Sequence, residues 1–225
     1  MSLWIKICGN TSLEDAQLAA EAGADAVGFV FAPSPRRVTP EQVAVIVPHL
    51  PAALEKIGVF VDASFEEIES TVQAAGLTGV QLHFNAAPAL PARLRERFGD
   101  TLRILGVIHF GPEPSLEALS IADNPHLDDP NIDAVLVDSR TAKAVGGTGT
   151  SFDWQTASAT LFRNKEAQGR RLIAAGGLTP ENVTEAIATL RPWGVDVVSG
   201  VEAAPGRKHP DKVRVFLANA RAASW

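Results

Sequence analysis

Short runs rich in Val, Ile, Leu and Phe recur along the chain, and segments of mixed charged and apolar residues at helical spacing lie between most of them. Runs of that length, alternating with helical patterns, predict a parallel sheet whose strands are joined by helices. The predicted strands are 3–8, 25–31, 56–61, 79–83, 102–109, 133–138, 171–175 and 194–198, and the predicted helices are 12–21, 40–47, 64–75, 88–98, 153–162, 180–190 and 210–222. Ser12 and Ser64 have side-chain oxygens suited to capping a helix start. Thr39-Pro40, Thr179-Pro180 and His209-Pro210 each place proline at a first helical position, where its missing N–H costs nothing. The stretch from Gly111 to Pro130 carries four prolines and allows at most a short helix.

Eight strands and about seven helices within 225 residues fit an α/β fold, a single (β/α)8 TIM barrel, better than a doubly wound sheet, which usually has fewer strands. No composition shift, long linker or short-period repeat divides the chain, so residues 1–225 read as one barrel domain. A net charge of −6 without any basic run argues against a nucleic-acid partner. No stretch approaches the roughly 18 apolar residues of a membrane span, and Lys6, Glu14 and Asp15 interrupt the start too early for a signal peptide. The expectation is a cytoplasmic protein with a small-molecule substrate. Oligomeric state is not legible.

In such a barrel, function concentrates at the carboxyl ends of the strands. Cys8 closes the first run, Ser34-Pro35-Arg36 follows the second, His83 closes the fourth, and Asp138 closes the sixth. Gly176-Gly177 follows the seventh and Ser199-Gly200 the eighth. A thiol, a carboxylate, a guanidinium and two small-residue turns on one face suit proton transfer on a phosphorylated substrate. Glycine turns after strands seven and eight let backbone N–H groups approach phosphate oxygens, though Gly176-Gly177 also reads simply as a tight turn. The Gly146–Thr150 loop lacks both a dinucleotide fingerprint and a P-loop lysine; it reads as a flexible connection or as a phosphate contact through Gly147 and Thr148.

Each polar residue also has a plainer reading. Asp138 is a solvated turn aspartate, or a partly desolvated carboxyl that holds a proton for general acid work. Cys8, the sole cysteine, is a small buried hydrophobe or a reacting group. Strand alternation sets Lys6 and Cys8 on one face about 6.6 Å apart. Lys6 then either favours the thiolate or forms an ion pair with a barrel carboxylate. No histidine pair has metal-ligand spacing, and one cysteine makes no all-cysteine site, so no metal is expected.

Taken together, Lys6-Ile7-Cys8-Gly9-Asn10-Thr11, Gly28-Phe29-Val30-Phe31 with Ser34-Pro35-Arg36, Gly58-Val59-Phe60-Val61, and Val80-Gln81-Leu82-His83 resemble the phosphoribosylanthranilate isomerases of tryptophan biosynthesis. The resemblance continues through Val137-Asp138-Ser139, Gly146-Gly147-Thr148-Gly149, Ala175-Gly176-Gly177-Leu178, Val198-Ser199-Gly200-Val201-Glu202 and Pro205-Gly206-Arg207-Lys208. It implies a cofactor-free Amadori rearrangement, with Cys8 as general base, Asp138 as general acid and Arg36 positioning the substrate. His83 would belong to the substrate pocket, and Gly147, Gly176, Gly177, Ser199 and Gly200 to the phosphate site. Two positions depart from the family pattern: Phe84-Asn85 where glycine usually follows His83, and His209 where an aspartate is usual. The sister sugar isomerase of histidine biosynthesis resembles a duplicated half-barrel with aspartate at the end of strand one, where Cys8 stands here. A non-catalytic sugar-phosphate-binding barrel is the reading from another class.

Overall fold

The computed structural model describes residues 3–83, 88–109, 125–138, 154–162 and 169–223. In chain order these form β1 (Trp4–Ile7), α1 (Leu13–Glu21), β2 (Ala26–Val30), α2 (Pro40–Ile46), β3 (Glu55–Val61), α3 (Phe65–Ala75), β4 (Gly79–His83) and α4 (Leu90–Phe98). There follow β5 (Arg103–His109), α5 (Pro125–Asp128), β6 (Ala134–Asp138), α6 (Trp154–Ala157), β7 (Leu172–Ala175), α7 (Val183–Leu190) and β8 (Gly194–Val197). The chain ends in β9 (Glu202–Ala204), β10 (Arg207–Lys208) and α8 (Pro210–Ala223). Among the described residues, β1 to β8 pair in sequence order, all parallel, and β8 returns to β1 to close the barrel.

Closure follows from the side-chain alternation of the strands. One set of buried residues, Ile5, Ile7, Val27, Phe29, Val80, Leu82, Val135, Val137, Val195 and Val197 among them, packs outward in the main core with helix residues such as Ala16, Ile68, Leu94, Ile187 and Phe216. The alternate positions fill the barrel: Trp4, Ala26, Ile57, Leu105, Val107, Ala134, Leu136, Ile173 and Ala175 form a second buried cluster. Trp4 stacks on Trp193 at 5.3 Å at the end where β1 starts.

The helix starts obey local chemistry. Ser12 accepts from Asp15 N, while Thr39 with Gln42 and Ser64 with Glu67 form reciprocal capping boxes. Two starts differ from the sequence expectation. Pro180 does not open α7: Asn182 accepts from Thr179 N and donates to Gly177 O, holding residues 178–182 in a turn, and the helix begins at Val183. Pro88 and Ala89 likewise form a turn ahead of α4, which starts at Leu90. The β9–β10 hairpin is not foreshadowed by any strand-like run. The short α5 lies in the proline-rich 111–130 stretch; most of that stretch, the 146–151 loop with Gly147, and Phe84-Asn85 fall outside the described residues. Among the described residues no helix is long and apolar enough to cross a membrane.

Candidate active site

Cys8 follows the last residue of β1 and is buried, its N–H bonded to Val197 O of β8. Two residues on, Asn10 is held at 0% exposure, its side-chain amide donating to Ile7 O and Gly28 O. These bonds tie the end of β1 to β2 and fix where the thiol sits. Gly28 of β2 leaves the space that the sulfur fills: a Cβ there would lie 2.5 Å from Cys8 Sγ and 3.0 Å from Lys6 Cε. No side chain larger than hydrogen fits beside the thiol.

Below Cys8, on the same face of β1, the Lys6 ammonium is fully buried. It donates to Gln81 Oε1 of β4 at 2.9 Å and to Asp196 Oδ1 of β8 at 3.0 Å. Because β1 and β4 are not neighbours in the sheet, the Gln81 bond crosses the barrel interior. The ion pair with a barrel carboxylate therefore forms, and Lys6 also acts on the thiol. Burial pushes the Cys8 thiol above its ordinary range, Lys6 draws it back, and Asp196 pushes it up again, so the net direction is upward. Lys6 therefore counters the upward shift of the thiol without reversing it. The desolvation of the sulfur outweighs the neighbouring cation.

Arg36 reaches the same region from the loop after β2. Ser34 accepts from Arg36 N and its carbonyl from Arg37 N, turning the chain back toward the barrel mouth. The Arg36 guanidinium is already engaged along one edge, with Nε donating to Glu202 Oε1 at 2.8 Å and Nη2 to Glu202 Oε2 at 2.6 Å. Glu202, buried at the start of β9, also accepts from Gly206 N. The Arg36 and Lys208 charges hold its carboxyl below its ordinary value in spite of burial. Lys208, buried on β10, donates to Cys8 O at 2.5 Å and lies 3.4 Å from Glu202 Oε1. The hairpin thus closes over the β1 and β2 ends and is pinned there by Thr11 Oγ1 donating to Gly206 O.

On the opposite side of the mouth, His83 ends β4, His109 ends β5 and Asp138 ends β6. His109 and Asp138 are register partners, and the His83 and His109 rings lie 5.2 Å apart. Asp138 is 8% exposed, a rim carboxyl buried among its neighbours rather than a solvated turn residue. After β7, Gly176 and Gly177 have φ of +83° and +65°, a left-handed turn that ordinary side chains resist. After β8, Ser199–Val201 form one turn of 3-10 helix, and a Cβ at Gly200 would lie 1.9 Å from Leu178 O. The β7 and β8 turns therefore meet backbone to backbone. His209 stands at the α8 start, its N–H bonded to Val201 O. Among the described residues no cluster of His, Cys, Asp and Glu has the arrangement of a metal site.

The family model for N-(5'phosphoribosyl)anthranilate (PRA) isomerase matches residues 5–219. The chain belongs to the N-(5'-phosphoribosyl)anthranilate isomerase family. It is 44% identical over 214 residues to the enzyme of that name from Pelobacter propionicus, covering 95% of this chain and 93% of the relative. It is likewise 44% identical over 218 residues to that of a Geobacter species, covering 96% and 97%. Among solved structures, the phosphoribosyl anthranilate isomerase of Thermotoga maritima superposes with a TM-score of 0.83 at 37% identity, covering 98% of this chain and 99% of that one. A phosphoribosyl anthranilate isomerase in complex with reduced 1-(o-carboxyphenylamino)-1-deoxyribulose 5-phosphate gives 0.80 at 34% identity, with the same coverage.

Sequence reasoning placed Cys8, Arg36, His83, Asp138, Gly176, Gly177, Ser199 and Gly200 at strand ends, and all of them stand at that face. It assigned nothing to Gln81, Asp196, Glu202 or Lys208. The signal for the first two was present: a lysine, a glutamine and an aspartate each interrupt an otherwise apolar strand. Buried polar groups of that kind need one another. Glu202 and Lys208 gave no such signal, because the hairpin that brings them to Arg36 and Cys8 is set by tertiary contacts.

Proposed function

We propose that this chain catalyses the Amadori rearrangement of N-(5-phosphoribosyl)anthranilate to 1-(2-carboxyphenylamino)-1-deoxyribulose 5-phosphate in tryptophan biosynthesis, with Asp138 as general acid and Cys8 as general base. Asp138 gives its proton to the furanose ring oxygen; the C1–O bond breaks, and the nitrogen lone pair forms the protonated Schiff base. That cation acidifies the C2 hydrogen, which Cys8 in its ionised, thiolate form removes as a proton, becoming the thiol. The C–H electron pair then makes the C1–C2 double bond of the enolamine, and reprotonation at C1 with loss of the C2 hydroxyl proton yields the ketone. A thiolate in a desolvated site is a stronger base than one in water, which suits removal of a carbon-bound proton.

The remaining roles follow from what the side chains have free. Glu202 occupies the Nε and one Nη2 position of Arg36. The outer edge, Nη1 and the second Nη2 hydrogen, is left to take the anthranilate carboxylate as a charge-assisted pair. The Gly176-Gly177 and Ser199-Gly200 turns, together with Gly147 outside the described residues, bind phosphate through backbone N–H groups. His83 lines the pocket near Asp138. The chain acts as one catalytic unit without metal or cofactor, in the cytoplasm.

The observation that carries this reading is the placement of a buried thiol and a buried carboxyl at the ends of β1 and β6, with the Arg36 guanidinium held by Glu202 at the same mouth of the barrel. The test is fluorescence-monitored consumption of phosphoribosylanthranilate, generated in place because it is labile, by purified protein in chelator without added cofactor. Turnover supports the reading. Binding without turnover would make the chain a sugar-phosphate-binding barrel instead.

A further inference from the structure

Lys6 has no part in the steps above, yet it lies in the barrel interior with its whole side chain excluded from water. An ammonium in that position is retained only if its donors are met. Gln81 and Asp196 take two of its three N–H groups from opposite sides of the barrel, at 2.9 and 3.0 Å. They hold Nζ under the end of β1. Gly28 keeps that place open, since a Cβ there would press on both Lys6 Cε and Cys8 Sγ. One missing side chain thus brings the ammonium stem and the sulfur together.

We propose that Lys6 is a positioning residue for the base: clamped by Asp196 and Gln81, its ammonium serves as the counter-ion of the Cys8 thiolate, and Asp196 limits how much of that charge the sulfur receives. The proposal rests on the assignment of Cys8 as general base. Four charged groups face or approach the thiol: Lys6 from β1, Asp196 from β8, Lys208 from β10 and Arg36 from the loop after β2. Gln81 of β4 is neutral. Lys208 and Arg36 are both paired with Glu202 at the barrel mouth, while Lys208 spends a donor on the Cys8 carbonyl. Lys6 stabilises the thiolate more than Lys208 does, and Asp196 opposes it. When the proton of the substrate C2 reaches the sulfur, the thiolate charge vanishes and the Lys6–Asp196 pair is left closed on itself. The buried cation is therefore paired both before and after the transfer.

Cys8 is the sole cysteine, so the pH dependence of alkylation by iodoacetamide reads its ionisation alone. In Lys6→Met the alkylation midpoint is expected to rise by at least about one pH unit. Turnover at neutral pH falls at least about tenfold and recovers as pH is raised, while affinity for the product changes less than about threefold. In Asp196→Asn the midpoint moves downward. Should Lys6→Met fail to fold because Asp196 is left unpaired, the double variant Lys6→Met/Asp196→Asn removes both charges, and its midpoint still lies above that of the parent. An unmoved midpoint in a folded variant lacking Lys6, or a turnover loss that rising pH does not rescue, overturns the proposal. A moved midpoint with unchanged turnover has a separate meaning: the coupling of Lys6 to the thiol stands, and Cys8 is not the base.

Discussion

A methyl group at Gly28 would stand 2.5 Å from the Cys8 sulfur, well inside van der Waals contact. Gly28→Ala is therefore expected to push the thiol off its position, at a stability cost of about 1–3 kcal/mol for overpacking and a larger fractional loss of turnover than of folded protein. Thermal unfolding and steady-state kinetics on the same preparation check this; full activity would mean that the thiol position is not critical. At Asp138 the expectation is different, because Asn keeps the shape and removes only the proton donor. Turnover of Asp138→Asn should drop at least about 10²-fold with the melting temperature nearly kept. Cys8 and Asp138 were legible because strand ends can be read from where apolar runs stop. The Glu202 partner of Arg36 was not, since 166 residues separate them and only the closed barrel brings them together. Glu202→Gln retains a side chain of the same size but loses the charge that locks the fork. It should raise KM more than it lowers kcat, and an equal fall in both would place Glu202 in the chemistry instead.

Elements were read accurately where local chemistry decides them and inaccurately where neighbouring elements do. The β4 bounds match the expected 79–83 because Gly79 and His83 bracket a short run that is apolar but for Gln81. The α7 start does not, because Asn182 turns its amide back onto Gly177 and Thr179 and delays the helix beyond Pro180. That delay leaves Leu178 O free to approach Gly200. The β7 and β8 turns are consequently one packed unit. Gly200→Ala has nowhere to place its methyl except against backbone, so the turns must part, and a loss of about 3 kcal/mol is reasonable for so close a contact. The affinity for product should fall in Gly200→Ala far more than in a surface variant of equal stability, measured by titration with product. Equal affinities would remove these turns from the phosphate site.

For the whole molecule, the eight-fold alternation of strand and helix carried the architecture, because parallel strands buried on both faces leave long apolar runs. What it did not carry was the inner polar layer, whose members come from β1, β4 and β8 and meet only when the barrel closes. The hairpin clasp across the mouth has a pH signature of its own. Glu202 is held below the ordinary glutamate value of 4.5 in the folded chain, so its contribution to stability is fully present above that value. It is lost as pH falls through the lower, folded value. As pH falls below about 4.5, the urea midpoint should decline more steeply in the parent than in Glu202→Gln, whose slope lacks this proton uptake. Identical slopes would show that the Arg36–Glu202 pair does not contribute to acid stability.

The central claim is that a proton leaves substrate carbon for the sulfur of Cys8. Product affinity and the single-turnover rate, measured side by side on Cys8→Ala, test it most directly. Arg36 and the two glycine turns are untouched by the substitution, so product should bind close to parental strength while the fluorescence decay of bound phosphoribosylanthranilate disappears. Normal binding with normal decay would assign Cys8 to packing and contradict the account.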